Sequence, residues 1–198
     1  MGTEVTEKTA FVIGNGTSRK DIKLHLLKKH GSTYGCNALY RDFAPDYLVA
    51  VDYKMIKEIY DSGYYKNHEV WVAEHESLRY VKDVNYLGTK KWSSGPSALF
   101  LATGHFNSYI YMIGFDFIGL ENDTKMNNMY ADTKNYKRSV QKPIFYRNWL
   151  QQTIDVVKNN NHISFIRVGP EFSKPFPNLE KLPNYSTISI ENFKKYFN

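Results

Sequence analysis

Apolar and polar positions alternate along this chain in blocks that predict strands and helices in turn. Continuous apolar runs predict strands at residues 9–13, 33–36, 47–51, 69–73, 109–113 and 164–168. Apolar residues at helical spacing predict helices at residues 18–30, 55–60, 97–103, 144–158 and 190–196. This alternation predicts an α/β fold, a Rossmann-like, mostly parallel sheet with helices on both faces.

Two segments interrupt the alternation. Residues 119–142 are polar, show no periodicity and follow a predicted core strand, which indicates a lid or functional loop; a solvated surface loop is the alternative. Residues 170–184 are proline-rich and are predicted to be irregular. No repeat or linker is visible, so residues 1–198 are predicted to form a single nucleotide-binding domain that carries this lid.

Small residues follow two of the predicted strands. Residues 11–18, FVIGNGTS, predict a strand, a glycine turn and a helix capped by Ser18, a geometry that points backbone N–H groups at an anion such as a nucleotide phosphate. Residues 93–97, SSGPS, supply a second such turn. Ligands of an open parallel sheet bind at the carboxyl ends of its strands, so both turns and Asp52 are expected at one edge.

The first turn is weak evidence by itself. It lacks the third glycine of G-x-G-x-x-G, and an ordinary strand-to-helix turn is the alternative. It also lacks the Gly-Lys-Ser/Thr ending of a P-loop, which disfavours a P-loop ATPase. Asn37 follows the second predicted strand, where an amide can bind a base or a ribose or satisfy its own backbone.

Charge and composition limit the classes of ligand and cofactor that this protein is expected to bind. The net charge of +6 favours an anionic partner, such as a nucleotide, an acidic glycan or a nucleic acid, and the 16 tyrosines suit stacking on bases or sugars. Six scattered histidines and a single cysteine disfavour a zinc site, so no metal cofactor is expected. A transmembrane segment and a signal peptide are not expected, and the predicted compartment is the cytoplasm.

Taken in order, the motifs resemble the bacterial lipo-oligosaccharide sialyltransferase family, with related architecture in the neighbouring 6-hydroxymethylpterin pyrophosphokinase-like group. The matching pieces span roughly residues 10–170. They are FVIGNGTS at 11–18, GCNALY at 35–40, the strand before Asp52, SSG at 93–95, YIYMIGFDF at 109–117 and YADTK at 130–134.

The resemblance implies a cytidine-monophosphate sugar as the donor substrate. It implies that Asn15, Gly16 and Ser18 hold the phosphate and ribose, and that Asn37 matches the family's asparagine after the second strand. It implies further that Ser93, Ser94 and Gly95 surround the cytidine and that Tyr130 contacts the leaving phosphate. Two positions depart from the family: Ile118 replaces a tyrosine, and no histidine lies between Ile118 and His162, where the family has its general base. A different sugar donor is therefore left open.

The function predicted is a glycosyltransferase that uses a nucleotide sugar and an acceptor hydroxyl on a glycan or a modified nucleic acid. The base is left open among Asp116, Asp52, Asp132 and an acceptor-side group. The predicted nucleotide-binding residues are Gly14, Asn15, Gly16, Ser18, Asn37, Asp52, Ser93, Ser94 and Gly95. The predicted catalytic residues are Asp116, Tyr130 and Asp132, with Lys134 and Arg138 at the phosphate.

Two other functions remain open. A pterin-type or other nucleotide pyrophosphokinase would need a metal held by Asp52, Asp116 and Asp132. A non-catalytic nucleotide- or nucleic-acid-binding protein would keep the fold and lose the base. Whether the chain forms a homo-oligomer is also open.

Overall fold

The computed structural model describes residues 8–88, 92–105, 107–144, 146–170 and 175–197. Within them, eight strands form one sheet: β1 (Thr9–Ile13), β2 (Ser32–Cys36), β3 (Tyr47–Ala50), β4 (Glu69–Val72), β5 (Asn85–Tyr86), β6 (Tyr109–Ile113), β7 (Ser164–Gly169) and β8 (Tyr185–Ser189). The helices are α1 (Leu24–Leu27), α2 (Tyr53–Asp61), α3 (Ser94–Thr103), α4 (Tyr146–Asn159), α5 (Pro177–Glu180) and α6 (Ile190–Phe197).

All neighbouring strands of the sheet run parallel, in the order β5-β4-β3-β2-β1-β6-β7-β8. The chain builds outward from β1 to β5 and then returns to place β6 on the other side of β1. The direction of strand addition therefore reverses between β1 and β6. In open parallel sheets, such a switch point is where the loops at the carboxyl ends separate and leave a crevice for a ligand.

Side chains of β1 alternate between two cores. Ala10 and Val12 pack on one face, in a cluster that includes residues of α3 and α4. Phe11 and Ile13 pack on the other face, in a cluster with Leu27 of α1 and Phe193 of α6. Both faces are therefore covered by helices, which explains why the central strands are continuously apolar rather than alternating. The predicted fold class is confirmed.

The structure differs from the sequence prediction at three places. The helix predicted at 18–30 is interrupted: a 3-10 turn covers Thr17–Arg19, and α1 is only four residues long. The segment predicted to be irregular contains α5, while its residues 171–174 lie outside the described residues. The strands β5 and β8 were not predicted, because edge strands are only partly buried and their sequences are largely polar.

No helix in the ranges that the structure describes has the length and apolar character to cross a membrane. The predicted lack of a signal peptide concerns residues 1–7, which lie outside those ranges.

Candidate functional site

A cavity of about 250 Å³ opens at the carboxyl ends of β1, β2, β3 and β6, on the switch point of the sheet. We call it the main cavity. It brings together most of the residues predicted from the sequence: Gly14, Asn15, Gly16, Asn37, Asp52, Ser93, Ser94, Gly95 and Asp116 line it. The apolar part of its wall includes Phe115, Phe117, Ile118 and Trp149, of which the sequence prediction named none as site residues.

The first wall of the main cavity is a contact between two backbone turns, which we call the glycine wall (Gly14, Gly16 and Gly114). Gly14 donates its N–H to Ile113 O at 2.8 Å, and Gly16 donates its N–H to Gly114 O at 3.0 Å. A Cβ atom at Gly14 or Gly16 would lie 2.7 or 2.6 Å from Gly114 O. Side chains are therefore excluded here, and the two turns close on each other through backbone atoms.

Asp116 holds the 3-10 turn that follows the glycine wall. Its Oδ2 accepts the Ser18 N–H at 3.1 Å, and its Oδ1 accepts the Ser18 hydroxyl. The side chain of Ser18 thus links the turn after β1 to the turn after β6. The predicted N-cap at Ser18 is wrong, because no α-helix begins there. Ser18 does not line the main cavity; its hydrogen bonds to Asp116, which does, connect it to the site.

Asn15 is the most constrained polar side chain of the main cavity. It is 9% exposed, and its Nδ2 donates to Cys36 O and to the Tyr136 hydroxyl, both at 3.3 Å. Its Oδ1 has no hydrogen-bond partner among the described residues. A buried acceptor without a donor costs about 1–3 kcal/mol, and this oxygen is free to accept a hydrogen bond.

The ends of β2 and β3 are tied to the N-terminus of α3. The Ser94 hydroxyl donates to Asn37 Oδ1 at 2.8 Å and accepts the Val51 N–H at 3.1 Å. Asn37 has a left-handed backbone (φ 54°), which asparagine tolerates better than most residues. These contacts fix the amide of Asn37 and place the first turn of α3 at the main cavity, where the N–H groups of Ser94 and Gly95 have no intrahelical acceptor.

The second wall comes from residues 119–142, the segment predicted from the sequence as a lid or functional loop, and we call this segment the lid. The lid lies against the glycine wall: Met129 donates its N–H to Asn15 O at 2.8 Å, and Asn127 Oδ1 accepts both the N–H and the hydroxyl of Thr17. Asn127 and Asn128 line the main cavity. Neither asparagine was predicted as a site residue, because nothing in an aperiodic polar segment distinguishes them.

Four residues predicted for catalysis or phosphate binding are not brought to the main cavity. Tyr130 is 4% exposed, and its hydroxyl accepts from buried Arg19 at 3.1 Å. Asp132 accepts the Ser139 N–H; Lys134 contributes its carbonyl to Arg41, and Arg138 donates its N–H to Gln141. The side chains of Asp132, Lys134 and Arg138 are exposed on the lid.

The lid tyrosine that reaches the glycine wall is Tyr136. Its hydroxyl accepts from Asn15 Nδ2 and from the Ala38 N–H, both at 3.3 Å, and burial raises its pKa well above the ordinary value. The sequence offered a signal, since Tyr136 belongs to the same YADTKNYKR run as Tyr130. The resemblance implied Tyr130, the first residue of the YADTK motif, as the tyrosine that contacts the leaving phosphate.

Arg19 places a buried positive charge behind the glycine wall. It is 4% exposed, its Cδ lies 3.2 Å from the position that a Cβ of Gly114 would take, and its Nε has no partner among the described residues. Its charge acts on the buried Cys36 thiol, whose pKa burial nevertheless raises to about 12. A buried cation beside the main cavity favours an anionic ligand there.

Asp52 lies at the rim of the main cavity, at the N-terminus of α2. Although its side chain reaches solvent, desolvation by the surrounding protein raises its pKa above the ordinary value, and the nearby His75 opposes that rise. Asp52 and Asp116 line the cavity whereas Asp132 does not, so the three aspartates of the pyrophosphokinase alternative do not meet. Across the described ranges, no three His, Cys, Asp or Glu side chains converge on a metal-sized site.

A comparison with solved structures returns one that is similar over nearly the whole chain. It is the sialyltransferase CstII from Campylobacter jejuni, in complex with the substrate analogue CMP-3FNeuAc. The identity is 17%, the match covers 96% of this chain and 98% of that one, and the TM-score is 0.49. The resemblance stated from the motifs agrees with this match. At this identity and TM-score, the likeness by itself carries no functional assignment. No family model and no curated protein matches the chain.

Proposed function

We propose that this protein is a glycosyltransferase that binds a sugar donor activated by a nucleoside monophosphate, a CMP-sugar, in the main cavity. The observation that carries the proposal is Asn15 Oδ1, a buried acceptor at the switch point with no donor in the described chain. A ribose hydroxyl or a base amino group is the kind of donor that would satisfy it.

The surroundings of Asn15 support a nucleotide rather than another polar ligand. The first turn of α3 offers the backbone N–H groups of Ser94 and Gly95 to an anion, and the glycine wall allows a ligand to approach closely. Buried Arg19 adds positive charge behind the same wall. Phe115 and Trp149 supply apolar surface for a base. A phosphate, a ribose and a base each have a matching surface in one cavity.

The transfer step needs a stabilised leaving phosphate and an acceptor hydroxyl that loses its proton. The backbone N–H groups in the first turn of α3 are donors of the kind that stabilises a developing phosphate charge. With the lid in its present position, Tyr130, Lys134 and Arg138 do not line the main cavity. Their predicted role at the phosphate requires the lid to rearrange when the donor binds.

Calorimetric titration with CMP, UMP and AMP tests the binding half of the proposal. CMP is expected to bind, and Asn15→Ala is expected to weaken it about tenfold, the effect of roughly 1.4 kcal/mol. Asn160→Ala is the matched control. Asn160 lies just after α4 and does not line the main cavity, and the one hydrogen bond described for its side chain goes to Val156 O. Equal CMP affinity in Asn15→Ala and the wild type would contradict the assignment.

Turnover of CMP-N-acetylneuraminate separates an enzyme from a binding protein. We expect slow hydrolysis of this donor without an acceptor and faster consumption with one. Tight CMP binding together with an intact donor, and with other CMP-sugars equally intact, would instead favour the non-catalytic alternative.

A further inference from the structure

A second pocket lies beside the main cavity, past the carboxyl end of β4. Its volume is about 510 Å³, and its polar wall consists of Glu74, His75, Glu76, Arg79 and Tyr86. We call it the side pocket. It contributes no residue to the nucleotide-binding set. Because β4 neighbours β3, whose end carries Asp52, the two cavities occupy adjacent positions on one edge of the sheet.

One residue, Val51, joins the two cavities. Its carbonyl oxygen accepts a hydrogen bond from His75 Nε2 at 2.7 Å, and its N–H donates to Ser94 Oγ in the main cavity at 3.1 Å. The next residue, Asp52, lines the main cavity and interacts electrostatically with His75. The imidazole of His75 therefore stands at the boundary between the two cavities.

The contact with Val51 sets the tautomer of His75. A carbonyl can only accept, so Nε2 carries the hydrogen, and Nδ1 of the neutral ring retains its lone pair. The edge of the ring packs near Tyr53, with centroids 6.3 Å apart, which restrains its orientation. A histidine held by one nitrogen, with the other basic, is arranged to take a proton.

We propose that the side pocket binds the acceptor and that His75 is the general base for transfer. The inference rests on the proposed function, because it needs a CMP-sugar in the main cavity. The acceptor oxygen bonds to the anomeric carbon, and its proton passes to Nδ1 of His75. The bond from that carbon to the phosphate oxygen breaks, and its electron pair leaves with CMP.

The walls of the side pocket favour a neutral glycan as the acceptor. The carboxylates of Glu74 and Glu76 accept hydrogen bonds from sugar hydroxyls and repel a polyanion. Tyr86 is 45% exposed and offers a ring face to a sugar. Arg79 is paired with Glu76 at 2.9 Å. A nucleic acid acceptor would meet two acidic side chains in this pocket.

Charged and aromatic groups lie around His75. Asp52, at the N-terminus of α2, interacts electrostatically with His75, and Tyr53 of α2 packs against its ring. Glu74, Glu76, Arg79 and Tyr86 line the side pocket together with His75, and Arg79 is paired with Glu76.

Transfer from CMP-N-acetylneuraminate to a panel of neutral p-nitrophenyl glycosides, with a single-stranded oligonucleotide as competitor, tests this assignment. His75→Gln is expected to lower kcat for transfer by a factor of 100 or more and to remove the acidic limb of the pH–rate profile. Its affinity for CMP should stay within twofold of the wild type. Added imidazole should restore part of the rate to His75→Ala.

His68→Gln is the matched control, because His68 stacks on Tyr64 and does not line either cavity. Tyr86→Ala should raise KM for the glycoside with little change in kcat, whereas exposed Tyr196→Ala should change neither. These readouts separate a base and a binding surface from residues that only support the fold.

The outcomes distinguish the two proposals. A wild-type protein that binds no CMP overturns the proposed function. If the wild type binds CMP normally, three results would overturn the present inference and leave the proposed function standing. They are an unchanged rate and acidic limb in His75→Gln, the oligonucleotide as the preferred acceptor, and hydrolysis of the donor without transfer to any glycoside.

Discussion

The two walls of the main cavity are built by different means. The glycine wall is backbone against backbone: Gly14 bonds to Ile113 O, at the end of β6, at 2.8 Å, and Gly16 bonds to Gly114 O, in the turn that follows, at 3.0 Å. The lid is held mainly by side chains that reach across the fold. Arg41 donates to Thr133 Oγ1 at 2.9 Å and to Lys134 O at 3.0 Å, while Asn135 donates to Glu58 Oε2 at 2.6 Å.

This difference determines how easily each wall can move. A backbone contact between two turns has no rotamers to change and tolerates no added atoms, so the glycine wall is a fixed surface. Contacts made by long polar side chains can break singly at a cost of about 1–3 kcal/mol each. We therefore expect the lid to open while the glycine wall and the sheet remain intact.

The largest expected effect comes from adding atoms to the glycine wall. Gly16→Val would drive a side chain into the Asp116 carboxylate and to 2.6 Å from Gly114 O. We expect a loss of about 3 kcal/mol in the free energy of unfolding, roughly 6–12 °C in Tm, and no CMP binding. Gly104→Ala is the control, since its Cβ would meet only Leu101 O at 3.5 Å. A stable, CMP-binding Gly16→Val would show that this wall is not fixed.

Removing Arg41 should release the lid and leave the glycine wall in place. Arg41→Ala loses its bonds to the lid and its ion pair with Glu58 Oε1 at 2.5 Å, an effect of about 2 kcal/mol. Limited proteolysis should then cut within residues 119–142 faster than in the wild type, while β1 and β6 keep their hydrogen-exchange protection. Arg79→Ala, which removes an exposed ion pair, should change neither. Uniform loss of protection would mean that the walls are not independent.

The two lid tyrosines give a finer test. Tyr136→Phe removes the acceptor used by Asn15 Nδ2 and the Ala38 N–H, so CMP affinity should fall severalfold, an effect of about 1 kcal/mol. Tyr130→Phe removes a hydrogen bond to Arg19, and since neither residue lines the main cavity, it should lower Tm more than CMP affinity. If calorimetry instead shows a larger loss of CMP affinity in Tyr130→Phe than in Tyr136→Phe, Tyr130 would be the tyrosine that contacts the phosphate, as its motif predicts.

The smallest effect is a pH dependence confined to the lid. Burial acts to raise the pKa of Glu58, and hydrogen bonds from Arg41, Tyr40 and Asn135 outweigh it, so the pKa lies below its ordinary value of 4.5. The stabilisation by Glu58 is therefore complete above about pH 4.5 and is lost as the pH falls through the lower, folded-state pKa. Below pH 4.5, an acid-active protease should therefore cut the lid faster, and the free energy that protects the lid should fall by less than about 1 kcal/mol. If Glu58→Gln shows the same dependence of cleavage rate on pH, a group other than Glu58 is responsible.

The sequence located the glycine wall because that wall depends on local features. The central apolar strands, the glycines that follow them and Asp116 are visible as short motifs, and the structure brings them to one cavity. Strand bounds were predicted within a residue or two for β1, β2, β3, β4, β6 and β7. Buried parallel strands carry a strong signal because both of their faces are apolar.

The lid and the side pocket could not be located in this way. Whether Tyr130 or Tyr136 reaches Asn15 depends on contacts with residues about 120 positions away, such as the 3.3 Å bond from Asn15 Nδ2 to Tyr136. His75 became a candidate only when its bond to Val51 O was seen, since its flanking glutamates show no pattern that indicates a base. Edge strands β5 and β8 were missed because half-exposed edges carry no continuous apolar run.

The strand order has a consequence for how the chain folds during synthesis. Thr9 pairs with Tyr109, so the edge of the central strand stays open until one hundred further residues have been made. At about 5–20 residues per second, that interval lasts roughly 5–20 s. Throughout it, Phe11 and Ile13 lack the cover of α6, and the unpaired edge of β1 can bind another nascent strand. Slow translation between residues 13 and 109 would therefore lower the yield of folded protein without changing its final stability.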